Sequence, residues 1–566
     1  MPSRSSWRLI TSALLFSLFT VCSARLPDGR PHANTMAPPT IPALRAPSTA
    51  PIDRDGRRIP PYEEVYYFEQ LVDHNDRSKG TFLQRFWFTY ERYRQGGPIV
   101  LCTPGEANAE GYTGYLTNST MPGMISQRTN GANIVLEHRF YGESNPYPDL
   151  SVESFRVHTI QQAIDDLEYF AKNAVLPMVN GDKLTPDRAP WILVGGSYAG
   201  ALVSWTIVDK PGVFFAGYSS SAPVQAILSY WEYFEPVRQY MPQNCSADVQ
   251  AVVAHLDQTF NSGNETAIED LKDNFGLGTL VNPDDVLSAL RNNLWDWQSL
   301  QPQTGPGHKF YQFCDALEVN DDGVSAPASG WGLEHALNAW GFYWRTRYYS
   351  ALCRGDDAES CLGTSDPTLD YWTNTSVNNW YRSWFWIVCN EVGYLQNGAP
   401  STYPSIVSRL LQPPYELRQC QLMFPGAFSS TPQPRAAVIN QKYKGWNVQV
   451  DRVVFIDGAR DPWRNTGVSA RSRTPRSTAL QPVYLTNGFH CSDMGVMGSV
   501  DPTVGDAQQK ALGHIATWLR TWRPRDRGWS NSPRPGTPIR RPNRPSRPRK
   551  TFTKSLNGWF RGTGQL

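Results

Sequence analysis

The stretch Trp191-Ile192-Leu193-Val194-Gly195-Gly196-Ser197-Tyr198-Ala199-Gly200 decides how the chain is read. Its first four residues are an apolar run suited to a buried strand. Two glycines then permit a tight turn, and a helix-compatible segment follows Ser197. Such a crossing lifts a serine hydroxyl clear of the sheet and leaves room for a substrate carbonyl beside it. The Tyr198 N–H is then placed as an oxyanion donor. The stretch departs from the G-x-S-x-G pattern at one position, because Ala199 stands where the last glycine is expected and Gly200 follows one residue later. Alanine is still small enough for a tight crossing. Glycine–serine turns also occur in plain loops, so the stretch needs partners elsewhere in the chain.

A serine nucleophile needs a base to take its proton, and the base needs an acid to fix its tautomer. After a serine elbow the acid and base follow in that order, on loops past late strands. Arg452 to Ile456 reads as a buried strand leading into Asp457-Gly458-Ala459-Arg460-Asp461-Pro462-Trp463, and Val483 to Leu485 leads into Thr486-Asn487-Gly488-Phe489-His490. Both loops lie past the carboxyl ends of strands, where open α/β sheets place their sites. Of the nine histidines, only His490 has this position. His138 also follows a strand, but it precedes the serine between Glu137 and Arg139, which reads as structural. Asp457 and Asp461 compete for the acid role. Asp461 is favoured because Pro462 fixes its turn, whereas Asp457 lies immediately after the strand.

With these residues in place, the chain resembles a known family. Gly-Gly-Ser-Tyr-Ala-Gly, Asp-Pro-Trp and Gly-Phe-His-Cys-Ser-Asp are similar to motifs of the S28 serine peptidases, which include prolyl carboxypeptidase, dipeptidyl peptidase II and secreted fungal prolyl endopeptidases. Thr103-Pro104-Gly105-Glu106, Glu137 to Gly142, Ser221-Ala222-Pro223-Val224 and Cys389-Asn390-Glu391 agree, over a span from about Tyr66 to about Trp522. Phe275-Gly276-Leu277-Gly278 and Asp461-Pro462-Trp463-Arg464 look closest to the fungal acid prolyl endopeptidases. The resemblance implies Ser197 as nucleophile, Asp461 as orienting acid and His490 as base. It also implies hydrolysis beside proline, on peptide or protein substrates. Trp463, two residues past the acid, is then placed to wall a pyrrolidine pocket, and Glu391 is a candidate polar contact to the substrate. The second oxyanion donor is expected from a backbone N–H near Gly105 or Glu106. Tyr198 serves as an elbow anchor or as a substrate contact. Whether the enzyme acts as an endo-, carboxy- or dipeptidyl-peptidase stays open, as does its oligomeric state.

Composition bounds the rest. The chain of 566 residues, with aromatics at 12% and twenty tryptophans, is long enough for a large packed core. Arg4 and Arg8, the apolar run Leu9 to Val21 and Cys22-Ser23-Ala24 read as a secretory leader, and no other segment has the length of a membrane span. The expected setting is therefore extracellular, with a vacuolar or lysosome-like compartment as the alternative. Removing the leader leaves eight cysteines, an even number that suits disulfides in an oxidising compartment. The expected pairs are Cys353–Cys361, Cys389–Cys420 and Cys245–Cys314, with Cys102 and Cys491 left as thiols or as an unexpected pair. No zinc-ligand spacing occurs, and the chemistry needs neither metal nor cofactor. Sequons stand at Asn118, Asn244, Asn264 and Asn374. The net charge of +2 hides a basic tail, since twelve Lys or Arg and one Asp follow Trp522 and leave the remainder at −9. That tail is rich in proline and serine and reads as disordered. Nothing in it supports nucleic-acid binding.

Strands alternating with helices indicate a mainly parallel sheet on either side of a long helix-rich insertion. The resulting architecture is an α/β-hydrolase fold with an inserted helical cap. Its segments are a leader at 1–24, a proline-rich linker or propeptide at 25–61 that includes Arg57-Arg58, hydrolase parts at 62–223 and 431–522, a cap at 224–430, and the tail at 523–566. The rival readings are a lipase or esterase on the same fold, or a binding protein on a hydrolase scaffold. Resemblance to acid-active relatives adds an expectation about pH, that burial under the cap lowers the pKa of His490.

Overall fold

The computed structural model describes residues 30 and 32–525. The leader expected at 1–24 and the tail beyond residue 525 lie outside them. Six strands precede the insertion: β1 Val65–Leu71, β2 Thr81–Thr89, β3 Ile99–Cys102, β4 Ala132–Leu136, β5 Trp191–Gly196 and β6 Ala216–Ser220. A short pair, β7 Ile227–Ser229 and β8 Gly393–Leu395, belongs to the insertion, and β9 Val453–Gly458 and β10 Val483–Thr486 follow it. The main sheet runs β1-β2-β4-β3-β5-β6-β9-β10. Only β1–β2 and β2–β4 pair antiparallel, and the remaining joins are parallel. This is the α/β-hydrolase fold.

Strands β3, β4, β5 and β6 are buried along their whole length, because helices cover both faces, so they read as continuous apolar runs. Alternate side chains feed two layers. Val100, Val135, Ile192 and Val194 pack with helix α1 (Met121–Thr129) and the C-terminal helix Pro502–Leu519. Leu101, Ile134, Trp191 and Leu193 pack on the other face with α2 (Ile160–Asn173) and with Val203 of α3 (Tyr198–Asp209).

Residues 221–452, between β6 and β9, are mostly helical, including Gln243–Asn261, Pro283–Leu290, Leu333–Tyr343 and Trp380–Ile387. The three expected disulfides, Cys245–Cys314, Cys353–Cys361 and Cys389–Cys420, all lie in this insertion. Cys102 and Cys491 are buried thiols. Of the sequons, Asn118 and Asn264 are exposed and Asn244 and Asn374 half-buried. Among the described residues no helix is long and apolar enough to cross a membrane.

The stretch from Arg30 to Ala46, within the segment expected as a linker or propeptide, is packed into the fold. Ala33, Asn34 and Thr35 are fully buried. Asn34 donates to the carbonyls of Asp285 (3.0 Å) and Leu362 (2.5 Å). This burial has no hydrophobic period because the chain turns at 32–35 and is held there by polar bonds, such as those of Arg30 and Asn34, rather than by one apolar face.

The glycines around Ser197 show why the elbow tolerates Ala199. A Cβ on Gly195 would stand 2.3 Å from the Ala199 carbonyl oxygen, and one on Gly200 would stand 2.7 Å from that of Ser220. The crossing therefore needs glycine two residues before Ser197, as in the pattern, and three residues after it, one past the pattern, while Ala199 itself is accommodated. Gly195→Ala is expected to destabilise the protein by about 1–3 kcal/mol through overpacking against backbone. Ala199→Gly should cost no more than about 1 kcal/mol. Denaturant titration of the two variants checks this, and equal stabilities would show that Gly195 is not a steric requirement.

Candidate active site

Ser197 follows β5 with φ 59° and ψ −131°, and α3 begins at the next residue. Its N–H donates to the Ser220 carbonyl at 2.9 Å, which ties the turn to β6. His490 lies in the loop after β10, and its Nε2 is 2.7 Å from Ser197 Oγ. Its Nδ1 is 2.9 Å from Asp461 Oδ1, in the loop after β9. A carboxylate only accepts, so Nδ1 carries the proton of the neutral ring and Nε2 accepts from the serine hydroxyl. Asp461 Oδ1 also accepts from the Trp463 N–H at 2.8 Å, which fixes the carboxylate. Serine, imidazole and carboxylate are 0%, 2% and 0% exposed, so the relay is dry. Such a series can move a proton from a hydroxyl to an imidazole and hold the resulting charge.

Asp457, the competing acid, faces elsewhere. It accepts from the N–H and hydroxyl of Ser469 at 3.2 and 2.5 Å. Burial, opposed by those bonds, pushes its carboxyl up to about 7.

The expected lowering of the His490 pKa is reversed. Burial does disfavour the imidazolium, but the Asp461 carboxylate outweighs it, with Cys491 adding in the same direction, and holds His490 well above its ordinary 6.5. The sequence shows that acid and base can pair, but which effect wins depends on a 2.9 Å contact that no motif encodes.

The loop after β3 approaches the elbow closely. A Cβ on Gly105, whose φ is +77°, would meet Ala199 Cβ at 3.2 Å. The Gly105 N–H donates to Thr103 Oγ1 at 3.3 Å. Glu106 is buried, and neither carboxyl oxygen has a hydrogen-bond partner among the described residues. Burial pushes its carboxyl up to about 8, against its own backbone dipole and the charge of nearby His490. The Tyr198 N–H is in the first turn of α3, where no intrahelical acceptor exists. The Tyr198 side chain is fully buried, with its hydroxyl 3.2 Å from His138 Nε2, and so anchors the elbow.

Three residues read as family motif or structure prove to be supports. Glu137 takes a bidentate bond from Arg85 at 2.7 and 2.9 Å and accepts from the Ala109 N–H at 3.0 Å, pinning the loop that carries Glu106. Burial lowers His138 to about 4, so the ring that holds Tyr198 is neutral. Arg139 binds Asp166 and the carbonyls of Val72 and Val157.

Two expected substrate contacts fare differently. Trp463 stacks among Tyr230, Tyr233 and Tyr394 at 5.4 to 5.6 Å, with its ring 6.5 Å from His490. Its Nε1 donates to Gln298 Oε1 at 2.7 Å. Glu391 instead accepts from the Ile160 N–H at 3.0 Å and pairs with Arg435 at 3.1 Å, so its oxygens are committed to the start of α2 and to Arg435. Sequence reading missed Gln298 and the three tyrosines. The only signal was the aromatic run Tyr230-Trp231-Glu232-Tyr233-Phe234, which also suits a plain core. The insertion binds the site loops directly: Tyr230 donates to the Pro462 carbonyl, Trp297 to that of Arg460, and Gln301 to that of His490, at 2.7 to 2.9 Å. A cleft of about 630 Å³ reaches His490 between Glu106, Trp295, Gln298 and residues of the 37–45 stretch. Among the described residues no cluster of three or more His, Cys, Asp or Glu is arranged to hold a metal ion.

Comparison with known proteins fits this geometry. Residues 70–511 match the family model described as Serine carboxypeptidase S28. "Serine protease vicPa" of Bipolaris victoriae is 34% identical over 470 residues, covering 80% of this chain and 88% of that protein. "Probable extracellular serine carboxypeptidase" of Arthroderma benhamiae is 34% identical over 445 residues, covering 74% of this chain and 61% of that protein. "Thymus-specific serine protease" of Homo sapiens is 28% identical over 473 residues, covering 81% and 87%. With the family model matched over most of its length, the chain belongs to the S28 serine carboxypeptidase family and is a serine-type peptidase.

Proposed function

We propose that this is a secreted peptidase that hydrolyses peptide bonds on the carboxyl side of proline through an acyl-enzyme on Ser197. The observation that carries the reading is the buried relay of Ser197, His490 and Asp461, joined at 2.7 and 2.9 Å. Ser197 Oγ attacks the scissile carbonyl carbon while His490 Nε2 takes its proton. The Asp461 carboxylate steadies the imidazolium, which then protonates the leaving amine. Water, deprotonated by the same imidazole, releases the acid. Two groups suit the oxyanion. One is the Tyr198 N–H at the start of α3. The other is the carboxyl of Glu106, which is neutral below about 8 and can donate its proton. Of the backbone donors expected from this loop, the Gly105 N–H is turned to Thr103, so the Glu106 carboxyl is the group tested as second donor.

Proline preference is supported by the apolar aromatic cluster of Trp463, Tyr230, Tyr233 and Tyr394 beside the acid and base, which the cleft meets through Gln298. Secretion is supported by the three disulfides and by the relative named as extracellular.

The direct test is to incubate the purified protein with proline-containing peptides and locate the cuts by mass spectrometry. Cuts after proline are expected, and the products give the endo- or exo- mode. Cuts spread over other residues would remove the proline reading, and ester hydrolysis without peptide cleavage would favour an esterase. Ser197→Ala should abolish turnover and phosphonate labelling while leaving the fold intact. Asp461→Asn should lower kcat on the order of 10⁴-fold. Asp457→Asn should lower it far less, and the reverse order would transfer the acid role.

The pH profile follows from two shifts of opposite use. His490 must be neutral to act as base, and its pKa is held above 6.5, so the acid limb of kcat/KM should lie above about 6.5. Glu106 donates only while neutral, so activity should fall as pH rises through about 8. Glu106→Gln keeps a donor without the ionisation, and should therefore move the alkaline limb while leaving the acid limb in place. An unmoved alkaline limb would take Glu106 out of the oxyanion site.

A further inference from the structure

The stretch Arg30–Ala46 crosses from the insertion to the sheet along the cleft. Its first part is fastened to the insertion. Arg30 donates to Asn292 at 2.8 Å and lies over the Trp295 ring at 4.8 Å, and the Ala33 N–H donates to the Cys361 carbonyl at 3.3 Å. Its last part is fastened to the hydrolase body, where the Gly114 N–H donates to the Leu44 carbonyl at 2.8 Å and Ala46 N–H donates to Thr113 at 3.0 Å.

Between these anchors the chain reads Ala37-Pro38-Pro39-Thr40-Ile41-Pro42. It is gripped as an extended peptide, by its carbonyls. Gln396 donates to Ala37 (2.9 Å), Gln298 to Pro38 (2.7 Å), Tyr112 to Ile41 (3.2 Å) and Tyr115 to Pro42 (2.9 Å). Proline locks φ and supplies no N–H, so such a segment loses little entropy on ordering and leaves few donors unsatisfied. Gln298 also accepts from Trp463 and Tyr233 at 2.7 and 3.0 Å. The amide that holds Pro38 thus belongs to the aromatic cluster beside His490. Ile41 presses on the elbow itself, since a Cβ on Gly196 would stand 2.8 Å from Ile41 Cγ2. With the stretch in place Ser197 has no exposure to solvent.

We propose that Arg30–Ala46 is an autoinhibitory strap that occupies the substrate cleft, so that the full chain is latent until the strap is severed and leaves. The inference rests on the reading of Ser197 as nucleophile. The structure offers a place for the cut: residues 54–58 form an exposed tip ending in Arg57-Arg58, and Ile59 beyond it is buried in the body. An endopeptidase that selects paired basic residues would add water across the Arg58–Ile59 bond, leaving a carboxylate on Arg58 and an amine on Ile59. The sheet from β1 onward would remain whole.

The test uses the full chain with a site-specific protease sequence inserted between Asp55 and Gly56. The rate of Ser197 labelling by a fluorophosphonate is measured before cutting, and again after cutting and removal of the strap, with its departure verified by mass spectrometry. At least a tenfold rise is expected, and a synthetic peptide of residues 30–46 should reverse it. A second arm needs no cut: Asn34→Ala removes the bonds to Asp285 and Leu362 and should raise labelling of the intact chain severalfold. Equal labelling in the uncut chain, the strap-free protein and the Asn34→Ala chain overturns the proposal. The phosphonate reports only access to a reactive serine. Faster labelling without cleavage after proline would therefore uphold the strap and overturn the proline reading, whereas full-rate cleavage after proline by the uncut chain would do the reverse.

Discussion

The structure depends on a serine held in a backbone conformation that L-residues avoid. Ser197 sits at φ 59°, an arrangement that costs on the order of 1–3 kcal/mol and persists only where the surroundings over-determine it. Two further non-glycine residues beside the site share it, Ser221 at φ 44° after β6 and Cys491 at φ 54° after β10. They support one another. The Cys491 N–H donates to Ser221 Oγ at 2.9 Å, the Ser221 N–H donates to the Ile456 carbonyl at 2.7 Å, and Ser197 is tied to Ser220. Three positive-φ turns after β5, β6 and β10 are thus locked into one unit, and His490 is the residue next to one of them. The strain places the hydroxyl and the imidazole within 2.7 Å of each other.

The second constraint is dryness. The same removal of water pushes Asp493 up to about 6, Asp457 to about 7 and Glu106 to about 8. Asp493 is spent on Tyr218 and Ser220 at 2.6 and 2.7 Å, and Asp457 on Ser469. Glu106 alone among the three has no hydrogen-bond partner and stands by the imidazole. Desolvation applied to His490 would have made it a poor proton acceptor, and the adjacent carboxylate reverses the sign. Burial and pairing therefore move acid and base apart: an imidazole that readily takes a proton, and a carboxyl that keeps one.

The strand-to-helix turn at Ser197 and the two later loops, of which the one with Asp461 rather than Asp457 meets His490, were legible in sequence because each rests on a local signal: an apolar strand, a small-residue turn, or a proline that fixes a loop. The central strands and the helix at 160–173 were legible for the same reason. Residues 30–46 were not. Proline-rich sequence without period looks like a linker whether or not side-chain amides elsewhere grip its carbonyls, and those partners, Gln298 and Gln396, are some 260 and 359 positions away. Glu391 illustrates a different limit of sequence. It is a buried carboxylate in a family motif, and only the structure shows its oxygens already engaged by Ile160 and Arg435. The raised carboxyl of Glu106 was not legible either, since its ionisation depends on burial that a loop sequence does not display.

The insertion cannot be treated as an independent cover over a finished site. Gln301 and Trp297 donate to the carbonyls of His490 and Arg460, Tyr230 to that of Pro462, and Gln298 shares Trp463. The loops carrying acid and base are thus hydrogen-bonded to the element that walls the cleft, and one hydrophobic cluster runs from the insertion through Trp463 and Phe489 into Tyr198. A substitution in the insertion that reshapes the cleft also shifts the water content and alignment around His490 and Asp461. The shape of the cleft and the surroundings of His490 and Asp461 are consequently tied to the same contacts. Residues 30–46, which bond to Gln298 and lie against Gly196, touch the aromatic cluster and the serine turn at once and so belong to the same set of contacts.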